Sequence, residues 1–325
     1  MCKKIKIGIL GNANIARRMV IPALTRLDIF EIVGIASLSE QNAKRNGQEL
    51  PIPFFTNYET LLEASLDAIY IPLPNSLHFK WIKESLNNGI HVLAEKPMSC
   101  SLSEAIEIND LARKNNLVLL ENFQFRFHSQ IQFIRQQIER GVIGEIRNVR
   151  AAFGVPPFTD RNDIRYNKEL GGGALLDLGV YPIKISQMFL SPNIFVDSAA
   201  LAIPENKNVD IWGSAFLKQY NGQITSQIAF GFDQSYLNSL DLWGSVGQIT
   251  AEKIFTASPG VKPKVTIRKK GNIEQLSLTS DNHFVKILQH FYDLINETGS
   301  REAEYTQNIN QARLVDELRD KSRVY

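Results

Sequence analysis

Ile5 to Ala16 reads Ile-Lys-Ile-Gly-Ile-Leu-Gly-Asn-Ala-Asn-Ile-Ala: an apolar run of strand length that meets a turn at Gly11. Ile15 to Leu24 then reads as the start of a helix. A strand that turns sharply into a helix aims unpaired N–H groups and the positive end of the helix dipole at the turn. That arrangement cradles a dinucleotide pyrophosphate. Gly11, Ala13 and Ala16 hold the three positions of the G-x-G-x-x-G pattern. Alanine is a standard variant at the third position, while at the second it leaves less room for close backbone approach. An ordinary strand-to-helix turn satisfies the same pattern, so the neighbouring residues must decide.

As far as Glu121 the chain alternates short apolar strands with helical patterns. Strands read at Ile5–Leu10, Glu31–Ala36, Ala68–Ile71, His91–Ala94 and Val118–Leu120. Helical patterns lie near Ile15–Thr25, Ser39–Glu49, Tyr58–Glu63, Ser76–Asn88 and Ser103–Asn115, the last with Ser103 and Glu104 at its start. This spacing predicts a parallel sheet with helices on both faces. Beyond Glu121 one more helix, Ser129–Arg140, precedes a strand-rich region. Its strands are expected at Ile146–Phe153, Val196–Ile203, Ile211–Gln219, Ile224–Phe232, Asp241–Gly244, Gln248–Glu252, Lys264–Lys269 and Glu274–Leu278. Turns such as Tyr220-Asn221-Gly222 favour antiparallel pairing, hence an α+β second domain. Two helices, Asn282–Glu297 and Thr306–Arg319, close the chain.

A length of 325 residues fits two domains better than one core. With 44% hydrophobic and 22% charged residues the composition is that of a soluble globular protein, and a formal charge of +2 gives no reason to expect nucleic acid or an anionic membrane as partner. Cys2 and Cys100 are too few for a disulfide framework or a cysteine metal site, so no metal is expected and a reducing compartment fits. The N-terminal apolar stretch is short and broken by Gly8 and Gly11, and no segment approaches the ~20 apolar residues of a membrane span. A cytoplasmic enzyme is the expected class.

Three constellations carry chemistry. Glu95-Lys96-Pro97 follows the strand His91–Ala94, and ligands of open α/β sheets bind outside the carboxyl ends of strands. A solvated loop lysine is the bland alternative. Pro72-Leu73-Pro74-Asn75-Ser76 ends the preceding strand as a rigid turn in which Asn75 or Ser76 can cap the next helix, with His78 a structural residue early in it. Gly171-Gly172-Gly173 permits close backbone approach to a ligand and feeds a helix carrying Asp177 and Tyr181, four apart on one face. A carboxylate and a phenol there offer an acceptor for a sugar hydroxyl and a proton donor for an alkoxide; a capped helix with a core tyrosine fits equally. Arg165-Tyr166, in the Pro- and Gly-rich loop upstream, is suited to an anionic ligand group.

In this order and at these separations the three constellations resemble the glucose-fructose oxidoreductase, inositol dehydrogenase and rhizopine catabolism family, over the whole chain. The resemblance implies a Rossmann dinucleotide-binding domain, residues 1–121, joined by the C-terminal helix 306–325. It also implies an α+β domain, residues 122–305, on an open, mostly antiparallel sheet that binds substrate and carries the contacts of a homodimer or homotetramer. Carried over from the family, Lys96, Asp177 and Tyr181 surround the reacting carbon; inositol- and glucose-type members carry histidine where Tyr181 stands. The pattern is most similar to NADPH-dependent 3-ketoreductases of nucleotide-linked deoxysugars, through Gly11-Asn12-Ala13, Glu121-Asn122-Phe123, His128-Ser129-Gln130 and Asp163-Ile164-Arg165-Tyr166. The resemblance implies cofactor contacts from Gly11, Asn12, Ala13, Asn14, Ile15, Ala16, Ser37, Leu38, Pro72, Pro74, Asn75, His78, Glu95, Lys96 and Arg165. It implies substrate contacts from Asn122, Arg126, His128, Tyr166, Asp177 and Tyr181.

The strand Glu31–Ala36 ends in Ser37-Leu38-Ser39, with no acid to take both ribose hydroxyls, which favours the 2′-phosphate of NADP over NAD. Leu38 departs from the arginine usual in NADP-preferring members, and Lys44 or Arg45 are the nearest replacements for its charge. The expected activity is reduction of a ketone on a nucleotide-linked 3-keto-deoxysugar. The alternatives are NADP-dependent oxidation of a free sugar or dihydrodiol, as in D-xylose and dihydrodiol dehydrogenases that share the tyrosine, and a non-catalytic redox sensor.

Overall fold

The computed structural model describes residues 3–38, 52–191, 193–297 and 299–325. The expected helix Ser39–Glu49, and with it Ser39, Lys44 and Arg45, lies outside the described residues. Contacts divide the chain into two compact units, Met1–Asn122 with Phe284–Ile309, and Phe123–His283 with Asn310–Tyr325.

The first unit is built on strands β1 (Ile5–Leu10), β2 (Phe30–Ala36), β3 (Phe54–Phe55), β4 (Ala68–Ile71), β5 (His91–Ala94) and β6 (Leu119–Glu121). They form a sheet in the order β3-β2-β1-β4-β5-β6 with parallel pairing throughout. All four residues of β4 are buried, as expected of strands covered on both faces, which is why they read as uninterrupted apolar runs. The order runs outward from β1 in both directions, so a crevice opens at the carboxyl ends of β1 and β4, the switch point where such sheets take ligands.

Between the strands lie α1 (Ile21–Leu24), entered through a π turn at Ala16–Val20, then α2 (Tyr58–Leu62), α3 (Asn75–Asn87) and α4 (Leu102–Lys114). Asn57 caps α2 through Glu59 N–H at 2.7 Å. Ser101, two residues before the expected start at Ser103, caps α4, while the Glu104 carboxylate turns back to Cys100 N–H at 2.9 Å. Neither Asn75 nor Ser76 caps α3: the cap position is Pro74 and no side-chain cap bond forms, because the proline turn sets the helix entry by its own backbone angle. Late in the chain α7 (His283–Ile295) buries Phe284, Ile287, Leu288, Phe291 and Leu294 at helical spacing, and α8 (Arg301–Lys321) follows.

The second unit contains α5 (Ser129–Glu139), β7 (Ile146–Gly154), α6 (Val180–Phe189), β8 (Ile194–Ala202), β9 (Trp212–Gln219), β10 (Thr225–Gly231), β11 (Leu237–Gly244), β12 (Gly247–Glu252), β13 (Lys264–Lys269), β14 (Asn272–Ser277) and β15 (Ser322–Val324). The sheet runs β14-β13-β12-β11-β7-β10-β9-β8-β15. Pairing is antiparallel except for β10 with β7 and β15 with β8. Helix α6 is apolar on nearly every side and correspondingly buried, with Lys184 fully enclosed.

The division of the chain departs from the expected one near the C-terminus. Residues 284–309 group with the first unit: Asn308 donates to Asn109 Oδ1 at 3.0 Å and Leu119 O at 3.1 Å, and Tyr305 OH donates to Leu117 O. From Asn310 onward the chain belongs to the second unit. There Arg313 donates to Ile194 O at 2.8 Å, Glu317 accepts Val196 N–H at 2.9 Å, and β15 adds to the edge of β8.

His91 Nδ1 accepts Val118 N–H at 2.9 Å, so the neutral ring is part of the β5–β6 edge. Burial, with Arg301 nearby, lowers its pKa from 6.5 to about 4. Below about pH 6.5 the unfolded chain then binds a proton that the folded chain refuses. Stability is therefore expected to fall as pH drops from about 6.5 to about 4 and to level off beneath that, by on the order of 2–3 kcal/mol. Denaturant unfolding of the protein and of His91→Asn at pH 7 and pH 5 checks this: the variant should lose less stability across the interval.

Candidate active site

Backbone crowding explains Gly11. Its φ is +124°, and a β-carbon there would stand 2.8 Å from Leu73 Cδ2 and 3.2 Å from Pro72 O. Its N–H donates to Ala36 O at 2.9 Å. Asn12 Oδ1 is enclosed and meets no protein donor. With the first-turn N–H groups that a helix leaves unused, this makes a polar turn at the switch point. The residues present fit a dinucleotide pyrophosphate. Ser37 is buried at the end of β2, while the Leu38 side chain is 67% exposed and brings no charge to that end.

Loops after β4 and β5 are tied together. His78 is fully buried, with Nδ1 2.7 Å from Pro97 O and Nε2 2.8 Å from Leu73 O. Burial holds its pKa down, against the pull of the two carbonyls. Both ring nitrogens are thus engaged by backbone, and the residue expected among the cofactor contacts serves here as a brace between the Pro72–Pro74 turn and the Lys96–Pro97 segment. Lys96 is half-buried at the carboxyl end of β5. Next to it, Glu95 Oε1 accepts from Tyr70 OH at 2.6 Å and from Asn122 Nδ2 at 2.5 Å. Burial raises the Glu95 pKa, and these donors oppose the rise. Asn122, expected on the substrate, is 1% exposed and gives its amide to Glu95.

In the second unit two of the three glycines, Gly172 and Gly173, are explained by the chain's own atoms. A β-carbon on Gly172 would lie 2.5 Å from Arg165 O, and one on Gly173, where φ is +118°, 2.4 Å from Asp210 Oδ1. Close approach was expected toward a ligand; here it is made by the loop and by Asp210. The helix then opens through a π turn, Leu175–Gly179, into α6. Four residues is close to one turn in either geometry, so Asp177 and Tyr181 share a face.

Arg165 Nε donates to Asp177 Oδ2 at 2.8 Å, and its Nη1 reaches Asp163 Oδ1 at 3.1 Å and Oδ2 at 3.2 Å. Burial works against this cation, but the two carboxylates hold its pKa above the ordinary value. Within this unit the guanidinium expected on the cofactor is engaged by Asp177 and Asp163. Tyr181 is 6% exposed, and its ring lies 5.3–5.8 Å from those of Phe123, Phe125, Phe153 and Phe255. Lys184 Nζ stands 5.0 Å from the Phe123 centroid. Tyr166 OH accepts Phe158 N–H at 3.1 Å while Lys207 Nζ lies 4.4 Å over its ring. Buried His128 caps α5, accepting Gln130 N–H at Nδ1, and Arg126 stacks on Phe127 at 5.2 Å.

Sequence reasoning missed Asp210, and it named Asp163 and Phe123 within motifs without giving either a place in the site. No motif contains Asp210; Phe123 and Phe125 share the turn after β6, Phe153 sits at an apolar inward position of β7, and Phe255 follows β12. Among the described residues, no group of three or more His, Cys, Asp or Glu is placed to hold a metal, and no helix is long and apolar enough to cross a membrane.

Residues 5–123 match the family described as "Oxidoreductase family, NAD-binding Rossmann fold", and residues 131–250 match the GFO/IDH/MocA C-terminal domain. The chain belongs to this oxidoreductase family. It is 36% identical over 321 residues to a dTDP-3,4-didehydro-2,6-dideoxy-alpha-D-glucose 3-reductase from Actinomadura kijaniata, covering 98% of this chain and 96% of that one. The structure of KijD10, a 3-ketoreductase from the same organism in complex with NADP and TDP-benzene, superposes with a TM-score of 0.94 at 36% identity over 99% of both chains. A D-xylose 1-dehydrogenase (NADP(+)) from Haloferax volcanii is 28% identical over 313 residues, 96% of this chain and 95% of that one.

The Arg165 contacts generate a prediction that separates positioning from cofactor binding. A charge-assisted hydrogen bond is worth about 1.5–3 kcal/mol, or roughly 10- to 100-fold. Arg165→Met is expected to raise KM for the sugar by about that range and to leave the NADPH Kd within about 2-fold. Titration of cofactor fluorescence alongside steady-state kinetics checks it, and weakened NADPH binding with an unchanged KM would restore the cofactor role.

Proposed function

We propose that this protein is an NADPH-dependent 3-ketoreductase of a nucleotide-linked 3-keto-deoxysugar, of the dTDP-3,4-didehydro-2,6-dideoxy-alpha-D-glucose type. The observation that carries the reading is likeness along the full length to proteins of that name, together with Lys96, Asp177 and Tyr181 in the motifs of the family. NADP is favoured because β2 ends in Ser37 and Leu38, which offer no carboxylate to a ribose diol and leave a 2′-phosphate unopposed. The NADP complex of KijD10 supports the same choice.

Bound in reduced form, the nicotinamide supplies a hydride to the ketone carbon. The residues of this chain handle the oxygen and the sugar. Lys96 places a positive charge on the carbonyl and stabilises the alkoxide as it develops. Tyr181 gives that oxygen its proton, with solvent restoring the phenol afterwards. Asp177, anchored by Arg165, accepts from a sugar hydroxyl and fixes which carbon is presented. A sensor that only binds the dinucleotide has no use for these three groups.

The D-xylose dehydrogenase relative keeps oxidation of a free sugar as the second reading. The test is turnover, followed by nicotinamide absorbance. The dTDP-keto-sugar with NADPH should be reduced at a kcat/KM well above that for NADPH oxidation by free keto-sugars or for NADP reduction by D-xylose. Higher efficiency with D-xylose would transfer the protein to the second reading, and higher efficiency with NADH would sink the cofactor assignment. Positioned acid catalysis typically contributes about 10²–10⁴-fold. Tyr181→Phe should lower kcat by that order with NADPH binding intact, and Lys96→Met by at least as much.

The nine-stranded sheet supports a homodimer or homotetramer as part of the same proposal. Its strands expose Trp243 at 54% and Trp212 at 38%, and Arg150 stacks on Trp243 at 5.5 Å. Large exposed aromatics on one sheet mark an interaction face. Sedimentation velocity should report a dimer or larger, and Trp243→Glu should reduce that mass; a monomer at micromolar concentration would refute the assignment.

A further inference from the structure

Asp210 precedes β9, in a segment fixed by Ile211 N–H donating to Ala202 O at 2.9 Å and Phe232 N–H donating to Ile211 O at 2.8 Å. From that anchored place it takes two bonds at the start of the Asp177–Tyr181 helix. Its Oδ2 accepts Leu175 N–H at 2.6 Å, and its backbone carbonyl accepts Ala174 N–H at 2.8 Å. Its Oδ1 fills the space that a β-carbon on Gly173 would need. The first N–H groups of a helix have no partner within it, and a carboxylate there also meets the positive end of the dipole. An ordinary N-cap is supplied by the residue before the helix and travels with it. This one comes from 35 residues downstream, in the segment that leads into β9 and is bonded to Ala202 and Phe232, and therefore ties the helix to the sheet's edge segments.

Two other constraints leave Asp210 a defined task. The Tyr181 ring is held laterally by Phe123, Phe125, Phe153 and Phe255. On the other side of the turn, Arg165 O accepts Gly173 N–H at 2.9 Å while its guanidinium holds Asp177. Further along, Gln311 Nε2 donates to Val180 O at 2.9 Å and Ser186 Oγ lies 2.8 Å from Ser226 Oγ, so the body of α6 is held as well; the bonds to Ala174 and Leu175 hold its start, where Asp177 stands. We propose that Asp210 is a positioning residue for the reaction, setting the height and rotation at which the π turn delivers Asp177 and Tyr181. The inference rests on the reading of those two as the substrate-facing pair. Burial raises the pKa of Asp210, opposed by the Leu175 N–H and by Arg319; the fold keeps a carboxyl here against a desolvation cost.

The test compares Asp210→Asn, whose amide oxygen still accepts from Leu175, with Asp210→Ala, which removes the side-chain acceptor, and Asp210→Glu, which keeps the charge but displaces it by one methylene. Misplacement of a catalytic group by about 1 Å costs roughly 100-fold. With the dTDP-keto-sugar and NADPH, Asp210→Ala and Asp210→Glu are expected to lower kcat by about 10- to 100-fold, and Asp210→Asn by no more than about 3-fold. NADPH Kd should stay unchanged in all three. Hydrogen exchange across residues 171–181 should quicken in Asp210→Ala and stay near the parent rate in Asp210→Asn.

A folded Asp210→Ala with parent kcat overturns the proposal, as does an Asp210→Asn that loses as much as Asp210→Ala. If Asp210→Ala does not fold, Asp210→Glu against Asp210→Asn carries the same comparison, and equal kcat in the two overturns it. A purely structural role would lower Tm without changing kcat per folded molecule. Absence of turnover by the parent protein would instead refute the functional reading; exchange across 171–181 would then decide alone whether Asp210 holds the helix, and an unchanged rate would overturn that as well.

Discussion

Gly172 and Gly173 pass their neighbours at distances that admit no β-carbon, and the aim of the Asp177–Tyr181 helix depends on that. Gly172 runs against the carbonyls of Arg165 and Asn167, and Gly173 against the carboxylate of Asp210. Because the turn is this tight, Arg165 can use its backbone to accept from Gly173 while its side chain reaches Asp177, itself among the shorter acidic side chains. A methyl group at either glycine would have to push apart backbone on one side or a buried carboxylate on the other. At Gly173 the positive φ adds a conformational cost for any other residue. The run of glycines is therefore a packing device first; its consequence for chemistry is the aim of the helix that follows.

A comparable chain of contacts runs through the first unit. The missing side chain of Gly11 makes room for Leu73; the Leu73 carbonyl meets Nε2 of His78; Nδ1 of His78 meets the carbonyl of Pro97, next to Lys96. The segments after β1, β4 and β5 thereby form one braced rim at the carboxyl edge of the sheet. A neutral imidazole donates from only one of its nitrogens. Protonation would allow both contacts to be donated, but burial and the Lys96 charge oppose it. The brace therefore combines one hydrogen bond with one close polar contact, and it is tightly packed rather than strongly bonded.

What the sequence revealed and what it hid divide along the range of the interaction. The buried strands of the first unit are continuous apolar runs, and they read within a residue or so of their observed ends. Glu95-Lys96-Pro97 and the triple glycine were legible because a motif is a local object. Strands β3 and β15 were not: they are two and three residues long, and each exists because a neighbouring strand offers an edge. Parallel pairing of β7 with β10 was equally hidden, since alternation records which face is buried and not which way the partner runs. The Arg165–Asp177 contact, the part of the cage that β7 and Phe255 bring to Tyr181, and the cap from Asp210 join residues from different parts of the chain, where neither spacing nor composition leaves a mark. Asn75 shows the converse error, a favourable capping residue displaced from the cap because the preceding prolines fix the backbone.

Both helices that open toward the expected ligands begin with a π turn, at Ala16–Val20 and Leu175–Gly179, and these are the two π segments among the described residues. Each is closed by a bond five residues back, from Ile21 N–H to Ala16 O and from Val180 N–H to Leu175 O. A π turn inserts one residue into the helical phase and is tolerated where something outside the helix holds it in place. At Leu175 that support is visible as Asp210 on one side and Phe230, 3.0 Å from where a Gly179 β-carbon would stand, on the other. The widened turn rotates every residue after it relative to those before, so Tyr181 owes its direction to the insertion and Asp177, inside the turn, owes its direction to the anchor. Without the widened turn Asp177 and Tyr181 would still lie about one turn apart, but α6 and its phenol would be turned relative to the anchored start of the helix. In this fold a motif specifies chemistry only through the helical phase in which it is read.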